Sequence, residues 1–424
     1  VNEMTFHNKS FDIAVIGGGL TGLTAAVYLA RAGKSVIVLE KENQLGGLAQ
    51  TVKLNGALFN LGPHAMYEGG AALRILNELG CLPEGGYASK GSMIGIIREK
   101  IVEVPKDLTS AESREWSSLM GGIGQINAES IRSISLQQWA DDNILHERVR
   151  LLFLAMCRQW TYCDAMDLMS AGFAIRQGQL AGNGVRYVEG GWQSVVNNLR
   201  DAAIHAGASF VTGNGAQQIQ IKNGLVHGVE LSDGKEVKVS VVIAAIGPHE
   251  LCRLLPGADG LSISRWKAQA RPLYAACLDV ALRHFPYPER VFALGLDAPL
   301  YFSKHSGPVK LSDNGALVLH AMRYNGNDNR RDAQADKKAL TDLLDLLEPG
   351  WEKEVVAIRF SPNVLVGHDS RTIHQNGNGL TPSPVVPDVH GLFVAGDWVG
   401  TEGRLADAGM ASAKQAADEA MRYG

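Results

Sequence analysis

Three glycines, Gly17, Gly19 and Gly22, stand in the spacing G-x-G-x-x-G after the apolar run 13–16 and ahead of a helix-like stretch over 20–31. Residues of this type and spacing do phosphate chemistry. The first glycine permits a tight turn, the second lets a pyrophosphate approach the backbone, and the third lets helix and strand pack closely. The helix opens at Leu20, so its unpaired N–H groups and positive dipole end face the phosphates. Gly33 stops the helix, 35–39 reads as a second buried strand, and Glu40 stands at its end, 18 residues beyond Gly22. A carboxylate there accepts hydrogen bonds from a ribose diol. A strand before the glycines, a helix after them and an acid at the next strand end make this a dinucleotide site rather than an ordinary Gly-rich loop. The motif alone does not separate NAD from FAD.

The residues beyond the acid do separate them. Lys41 leads to the glycine pair Gly46-Gly47, then Leu48, and the segment runs on to the turn Gly62-Pro63-His64. Near the other end of the chain, residues 391–420 read as a strand closing in Gly396-Asp397, then a glycine-bearing loop into a helix that starts near Leu405 and Ala406. Between them, 241–255 reads as a buried strand and helix. Through these three segments the chain resembles the superfamily of amine oxidases, phytoene desaturases and protoporphyrinogen oxidases. The resemblance implies FAD, held non-covalently, since no cysteine beyond Cys277 offers a cysteinyl-flavin attachment. It implies that Gly46, Gly47 and Leu48 pass the FAD phosphates and that Gly62, Pro63 and His64 approach the ring system. Ala216 joins the cofactor contacts, and Gly396 and Asp397 reach the ribityl or pyrophosphate region. Leu405 and Ala406 would face the pyrimidine ring, where a helix N-terminus stabilises negative charge on reduced flavin. One departure matters. Many members carry Arg directly after the glycine pair, and Leu48 stands there, so phosphate charge must be met by backbone N–H groups or another side chain.

Residues that could act on a substrate are fewer, because a flavin supplies the redox chemistry and the protein positions and tunes. His64 is the first candidate for catalysis, as a neutral imidazole that shuttles a proton or orients substrate, against a His bonded to backbone in a turn. Tyr67 could line the same wall, with core packing favoured. Trp398 could shield the flavin or stack on substrate, or pack at the sheet end. Arg404 could counter the charge of reduced flavin or sit at the surface. Lys304 reads as a solvated surface lysine. The helix carrying Cys157, Arg158, Trp160, Tyr162 and Cys163 reads as mixed core and surface.

These pieces require an α/β architecture, namely a Rossmann-like, discontinuous FAD-binding domain with an inserted mixed α+β substrate domain. The boundaries expected are 1–95, 205–265 and 380–424 for the first, and 96–204 and 266–379 for the second. Trp192, Val195, Val196 and Leu199 fall on one face of a helix that Gly207 closes before a strand at 208–211. Residues 217–243 read as short strands turning at Asn223-Gly224 and Asp233-Gly234. In the second domain 133–162 reads as helical, 275–282, 315–322 and 355–360 as strands, and Leu340, Leu343, Leu344 and Leu347 as one helix face. The polar stretch 325–336 reads as a solvated loop.

The chain has 424 residues, 46% hydrophobic and 20% charged, the balance of a globular protein with more than one core. Its net charge of −4 gives no electrostatic case for nucleic acid. No run approaches 18 apolar residues, so no transmembrane segment is expected, while peripheral membrane contact stays open. Residues 1–10 read as a loose arm and not a secretory signal. Five scattered cysteines read as thiols in a reducing cytoplasm, and no metal site is visible.

The leading functional expectation is an FAD-dependent oxidase or dehydrogenase of desaturase type. It takes a hydride from a small or apolar organic substrate to flavin N5, and oxygen or a quinone reoxidises the flavin. The alternative is a non-redox, flavin-dependent mutase of related fold, for which Arg150, Arg158, Arg176 and Arg186 make no convincing diphosphate cluster. A third class, a binding module like the chaperones of prenylated GTPases, does not need the full glycine set, Glu40 and Asp397.

Overall fold

A computed structural model describes residues 10–88, 93–327, 332–374 and 380–423. The apolar runs become a five-stranded parallel sheet in the spatial order Ser209–Val211, Val36–Leu39, Ile13–Ile16, Val241–Ala244, Leu392–Val394. A parallel sheet covered on both faces needs strands apolar on both sides, which is why IAVI, VIVL and VVIA are continuous rather than alternating. Ile13, Val15, Val36 and Val38 point to one layer, packed under the helices Leu20–Arg31, Gln193–His205 and Ala406–Tyr423. Ala14, Ile16, Ile37 and Leu39 point to the other, against the antiparallel strands Ala216–Lys222, Leu225–Leu231 and Glu236–Lys238. The turns of that meander fall at Asn223-Gly224 and Gly234, all at positive φ.

A second, seven-stranded mixed sheet runs in the order Val355–Gly367, Leu273–Leu282, Leu317–Gly326, Leu300–Lys304, Phe292–Gly295, Met93–Ile97, Lys100–Val104. The helix Ala333–Leu347 lays Leu340, Leu343, Leu344 and Leu347 against one of its faces. On the other face Cys277, Tyr301 and Met322 pack with residues of the helix Glu147–Thr161. The helical reading of 133–162 resolves into this helix and Leu136–Asn143.

The two ends of the stretch 325–336 depart from the solvated loop expected there, while Asn327 and residues 332–335 are exposed. Asn325 is buried in the strand Leu317–Gly326, and its Nδ2 donates to Asp336 at 2.9 Å, itself buried in the first turn of the helix Ala333–Leu347. Residues 328–331 lie outside the described residues, as does the arm 1–9. Polar composition marks solvent only when the polar groups have no partners; here the Asn325 amide nitrogen finds one in Asp336.

Candidate active site

A cavity of about 1300 Å³ lies between the two sheets. One part of its wall is built by the glycine turn together with the acid and the glycine pair: Gly17, Gly19, Leu20, Glu40, Gly46 and Gly47. Gly17 sits at φ +102, and a Cβ there would lie 2.7 Å from the Ala245 carbonyl oxygen. Gly22 does not face the cavity. A Cβ on it would come within 1.9 Å of the Gly17 oxygen, so it serves the packing of helix on turn. Glu40 is buried and already fixed, accepting from Gly18 N at 2.7 Å and from Glu42 N at 2.9 Å. A carboxylate offers about four lone-pair sites, so acceptor capacity remains for a diol. Lys41 and Leu48 line the rim of the same part, and Ala216 enters it from the start of its strand.

Further along stand Pro63, His64, Gly396, Asp397, Leu405 and Ala406. Gly62 lies behind them at φ +76, with Cys277 Sγ 2.7 Å from where a Cβ would be. Each ring nitrogen of His64 meets a backbone carbonyl at 3.1 Å, Nδ1 that of Gly62 and Nε2 that of Leu48. A neutral imidazole donates from only one of them, and burial holds this ring below its ordinary pKa. One ring nitrogen of His64 therefore ties its turn to the backbone while the other keeps a lone pair, and the ring lines the cavity.

Asp397 is engaged by a residue that no motif announced. His368, just past the strand Val355–Gly367, gives Asp397 its backbone N–H at 2.8 Å and its Nδ1 at 2.7 Å. Burial alone would raise the Asp397 carboxyl, but the His368 charge and hydrogen bonds outweigh it and hold the group below the ordinary carboxylate value. Burial pulls His368 down, and Asp397 more than restores it. Both residues line the cavity.

Trp398 does not reach flavin or substrate space. It is fully buried against Trp266 on the far side of the parallel sheet, with its indole N–H on the Ile246 carbonyl at 3.0 Å. The strand ends at Val394, and the turn that follows it carries the Trp398 side chain to the far side while Asp397 faces the cavity. Lys304 is not a surface lysine. It is buried, with Nζ 2.5 Å from Glu348 Oε1 and 2.5 Å from the Tyr287 carbonyl. Arg404 is buried and lines the cavity. Its Nε donates to the Thr161 carbonyl at 3.2 Å and Nη1 to that of Asp369 at 2.9 Å, while Nη2 has no partner. Tyr67 lines the cavity, its phenol raised by burial.

The rest of the wall is apolar and aromatic, with Met156, Trp160, Tyr162, Tyr301 and Met322. Cys157 and Cys163 are buried thiols of raised pKa, inert by position. Asp407 also reaches the cavity; it accepts from Ala72 N at 2.8 Å, and burial pushes it up to about 6. Among the described residues no helix is long and apolar enough to cross a membrane, and no group of three or more His, Cys, Asp or Glu is placed to hold a metal.

A glycine cradle on a parallel sheet, an acid at the next strand end and a Gly-Asp turn leading into a final helix together define a flavin-dependent redox enzyme. Residues 12–418 match the model of the FAD dependent oxidoreductase family, and the chain belongs to that family. It is 52% identical over 52 residues to the carotenoid 3,4-desaturase of Haloarcula japonica, covering 12% of this chain and 10% of the relative. It is 25% identical over 277 residues to the 4,4'-diaponeurosporene oxygenase of Staphylococcus aureus (strain bovine RF122 / ET3-1), 55% of each chain. The chain thus spans about half the length, or less, of these curated relatives in the regions matched. Among solved structures, cyclohexylamine oxidase from Brevibacterium oxydans IH-35A has a TM-score of 0.74 at 17% identity, covering 98% of this chain and 99% of that one, a likeness of fold.

Proposed function

We propose that the chain dehydrogenates an apolar organic substrate held against non-covalently bound FAD. The observation that carries this reading is the continuity of the cavity, in which the glycine-lined cradle opens directly onto the wall of Met156, Trp160, Tyr162, Tyr301 and Met322. The residues present fit FAD. The cradle has no room for side chains at Gly17 and Gly22, Glu40 keeps spare acceptor capacity, and Arg404 Nη2 waits without a partner. Gly17, Gly19, Gly46 and Gly47 with the helix start at Leu20 take the pyrophosphate, and Glu40 takes the ribose. Asp397, kept ionised by His368, takes ribityl hydroxyls, and Arg404 with the helix opening at Leu405 and Ala406 faces the pyrimidine edge. When bound, FAD supplies the hydride acceptor at N5, and oxygen or a quinone takes the electrons onward. The chain's own work is to hold the substrate in an apolar, water-poor wall and to manage the accompanying proton.

We place the cofactor side at 1–95, 193–265 and 380–424 and the substrate side at 96–192 and 266–379; the helix Gln193–His205, expected all but its last residue within 96–204, goes to the cofactor side because it packs on the parallel sheet. Arg150, Arg158, Arg176 and Arg186 do not line the cavity, which removes the cationic wall a nucleotide-sugar mutase needs. The free thiols suit a cytoplasmic setting. The test is to purify the protein, record its flavin spectrum, and mix it anaerobically with polyenes, porphyrinogens and amines. Bleaching of the oxidised band at about 450 nm by a polyene is expected. Reaction with amines alone would overturn the apolar assignment, and turnover of a nucleotide sugar without net oxidation would overturn the redox one.

A further inference from the structure

One polar row crosses the cavity-facing side of the seven-stranded sheet. Register sets Arg359 opposite Asp279, Asp279 opposite His320, and His320 opposite Ser303. Directly opposed residues on neighbouring strands share a face, so the four form a line. Cys277, Met322 and Tyr301, each two positions away from a member of the row, line the cavity on that same face. Asp279 is fully buried. Its carboxylate accepts from His320 Nδ1 at 2.6 Å, and from Arg359 Nε at 3.1 Å and Nη2 at 2.6 Å. With Nδ1–H committed to Asp279, a neutral His320 presents Nε2 as a bare acceptor. That atom has no partner, and neither has Nε2 of His305 nor Oγ of Ser303; all three are buried. The His305 ring stands edge-on to His320 with centroids 4.5 Å apart and stacks on Tyr187 at 3.9 Å. His305 and Tyr187 line the cavity. Buried polar atoms without partners are rare, and three gathered around one histidine mark a place made for water and a proton.

The row is also tied to the cofactor side. Arg359 Nη2 donates to the carbonyl of Asn60, the last residue of the strand Ala57–Asn60. From there the chain turns through Gly62 to His64, whose ring rests on the Leu48 carbonyl beside the glycine pair.

We propose that Asp279, His320, Ser303 and His305, bridged by a bound water, form a relay that receives the proton released when the substrate is dehydrogenated. The proposal rests on the function proposed above. In that reaction one C–H bond breaks with its electron pair leaving as hydride to FAD. The neighbouring C–H bond leaves its pair behind to form the new double bond, and its proton passes to His305 and on to His320. The relay becomes an imidazolium stabilised by Asp279, which would balance the negative charge that a bound flavin would carry once reduced. Arg359 holds Asp279 in place with two hydrogen bonds. Burial, with His320 and His64 nearby, keeps His305 well below its ordinary pKa, so the ring is empty before the reaction. The other groups facing it are Tyr187, raised by burial, and, through His320, Asp279. His320 and Asp279 act as positioning residues, and His305 is the one that meets the substrate side.

The relay can be tested without a substrate. Electrochemical reduction of the FAD-loaded protein in weakly buffered solution, followed with a pH indicator, counts protons taken up per flavin. The wild type is expected to take up about one proton more than His305→Gln or His320→Gln, since one imidazole binds one proton, with Asp279→Asn losing the same proton. Nitrogen-15 histidine NMR should show His305 or His320 gaining that proton only on reduction. If a histidine variant fails to fold, Ser303→Ala removes one atom and should slow the uptake. Equal uptake in wild type and variants at matched FAD content overturns the relay alone, whereas a protein that binds no FAD overturns the proposed function beneath it.

Discussion

Replacing Lys304 by methionine should destabilise the protein strongly, although lysine to methionine at an exposed position is close to neutral. The Lys304 side chain is 2% exposed and that of Glu348 is fully buried, and their charged atoms meet at 2.5 Å. At an effective dielectric constant of about 20 the Coulomb attraction at that distance is about 7 kcal/mol. Desolvating both ions costs several kcal/mol each, so the intact pair comes close to cancelling. Removing one partner does not cancel, because Glu348 stays buried without its ion-pair partner, keeping among the described residues only the hydrogen bond from the Tyr287 N–H at 3.2 Å. The expected loss is about 4 kcal/mol. Taking about 2.1 cal/mol/K of unfolding entropy per residue over 424 residues, that loss lowers Tm by about 4 °C. The double variant Lys304→Met with Glu348→Leu should recover most of it.

The pH dependence has a definite sign. Burial pushes the Glu348 carboxyl above its ordinary value even with Lys304 in place. A group whose folded pKa is raised stabilises the fold at low pH and loses that stabilisation as pH rises. The penalty of Lys304→Met should therefore shrink as pH falls, when Glu348 takes a proton and becomes neutral. Differential scanning calorimetry of the FAD-loaded variants across pH reads both effects. A single variant within 1 °C of wild type (roughly 1 kcal/mol by the same conversion), or a double variant no better than the single, would refute the reasoning.

Other expectations can be checked with the same preparations. Gly22→Ala places a Cβ 1.9 Å from the Gly17 oxygen, so the turn must open; FAD affinity should fall by about tenfold or more, read from the flavin-to-protein ratio. His368→Gln removes the charge that keeps Asp397 ionised. FAD binding in the wild type should weaken only as pH falls through the depressed Asp397 value, and in the variant the loss should begin at higher pH, by flavin fluorescence titration. Asp407 is raised from 3.8 to about 6, so its contribution is present at low pH and lost as pH rises between those values; Asp407→Asn should flatten that slope and add at most about 3 kcal/mol at neutral pH. Trp398→Ala should cost about 3–5 kcal/mol by urea unfolding and leave the ranking of substrates unchanged, because the side chain packs behind the sheet.

The cofactor side is legible in the sequence because its demands are made of short stretches of backbone. A glycine at φ +102, another with no room for a Cβ, an acid at a strand end and a Gly-Asp turn each leave a mark within a few residues, and their spacing survives as a pattern. Even there the sequence misleads where a side chain's direction matters. Adjacency to Asp397 puts Trp398 near the flavin, and the turn after the last strand sends it the other way. Lys304 reads as solvated because nothing near it in sequence is acidic; its partner lies 44 residues on, at the end of the helix Ala333–Leu347.

The substrate side is written in a different code. His320 and Asp279 are 41 residues apart, Arg359 and Asp279 are 80 apart, and each lies in a strand whose run of apolar neighbours reads simply as core. Only register brings them into line, and a slip of one residue in any strand would turn its member to the opposite face. A lone charged residue in an apolar strand is nonetheless a signal of its own. An unpaired carboxylate buried there would cost too much to persist, so Asp279 in LYAACLDVAL requires a cationic or hydrogen-bonding partner on an adjacent strand. The same demand, applied to His320 in LVLHAMRYNG, identifies strands that must be neighbours before any coordinates are known. In such a chain a polar row of this kind is found by asking which buried polar groups need each other.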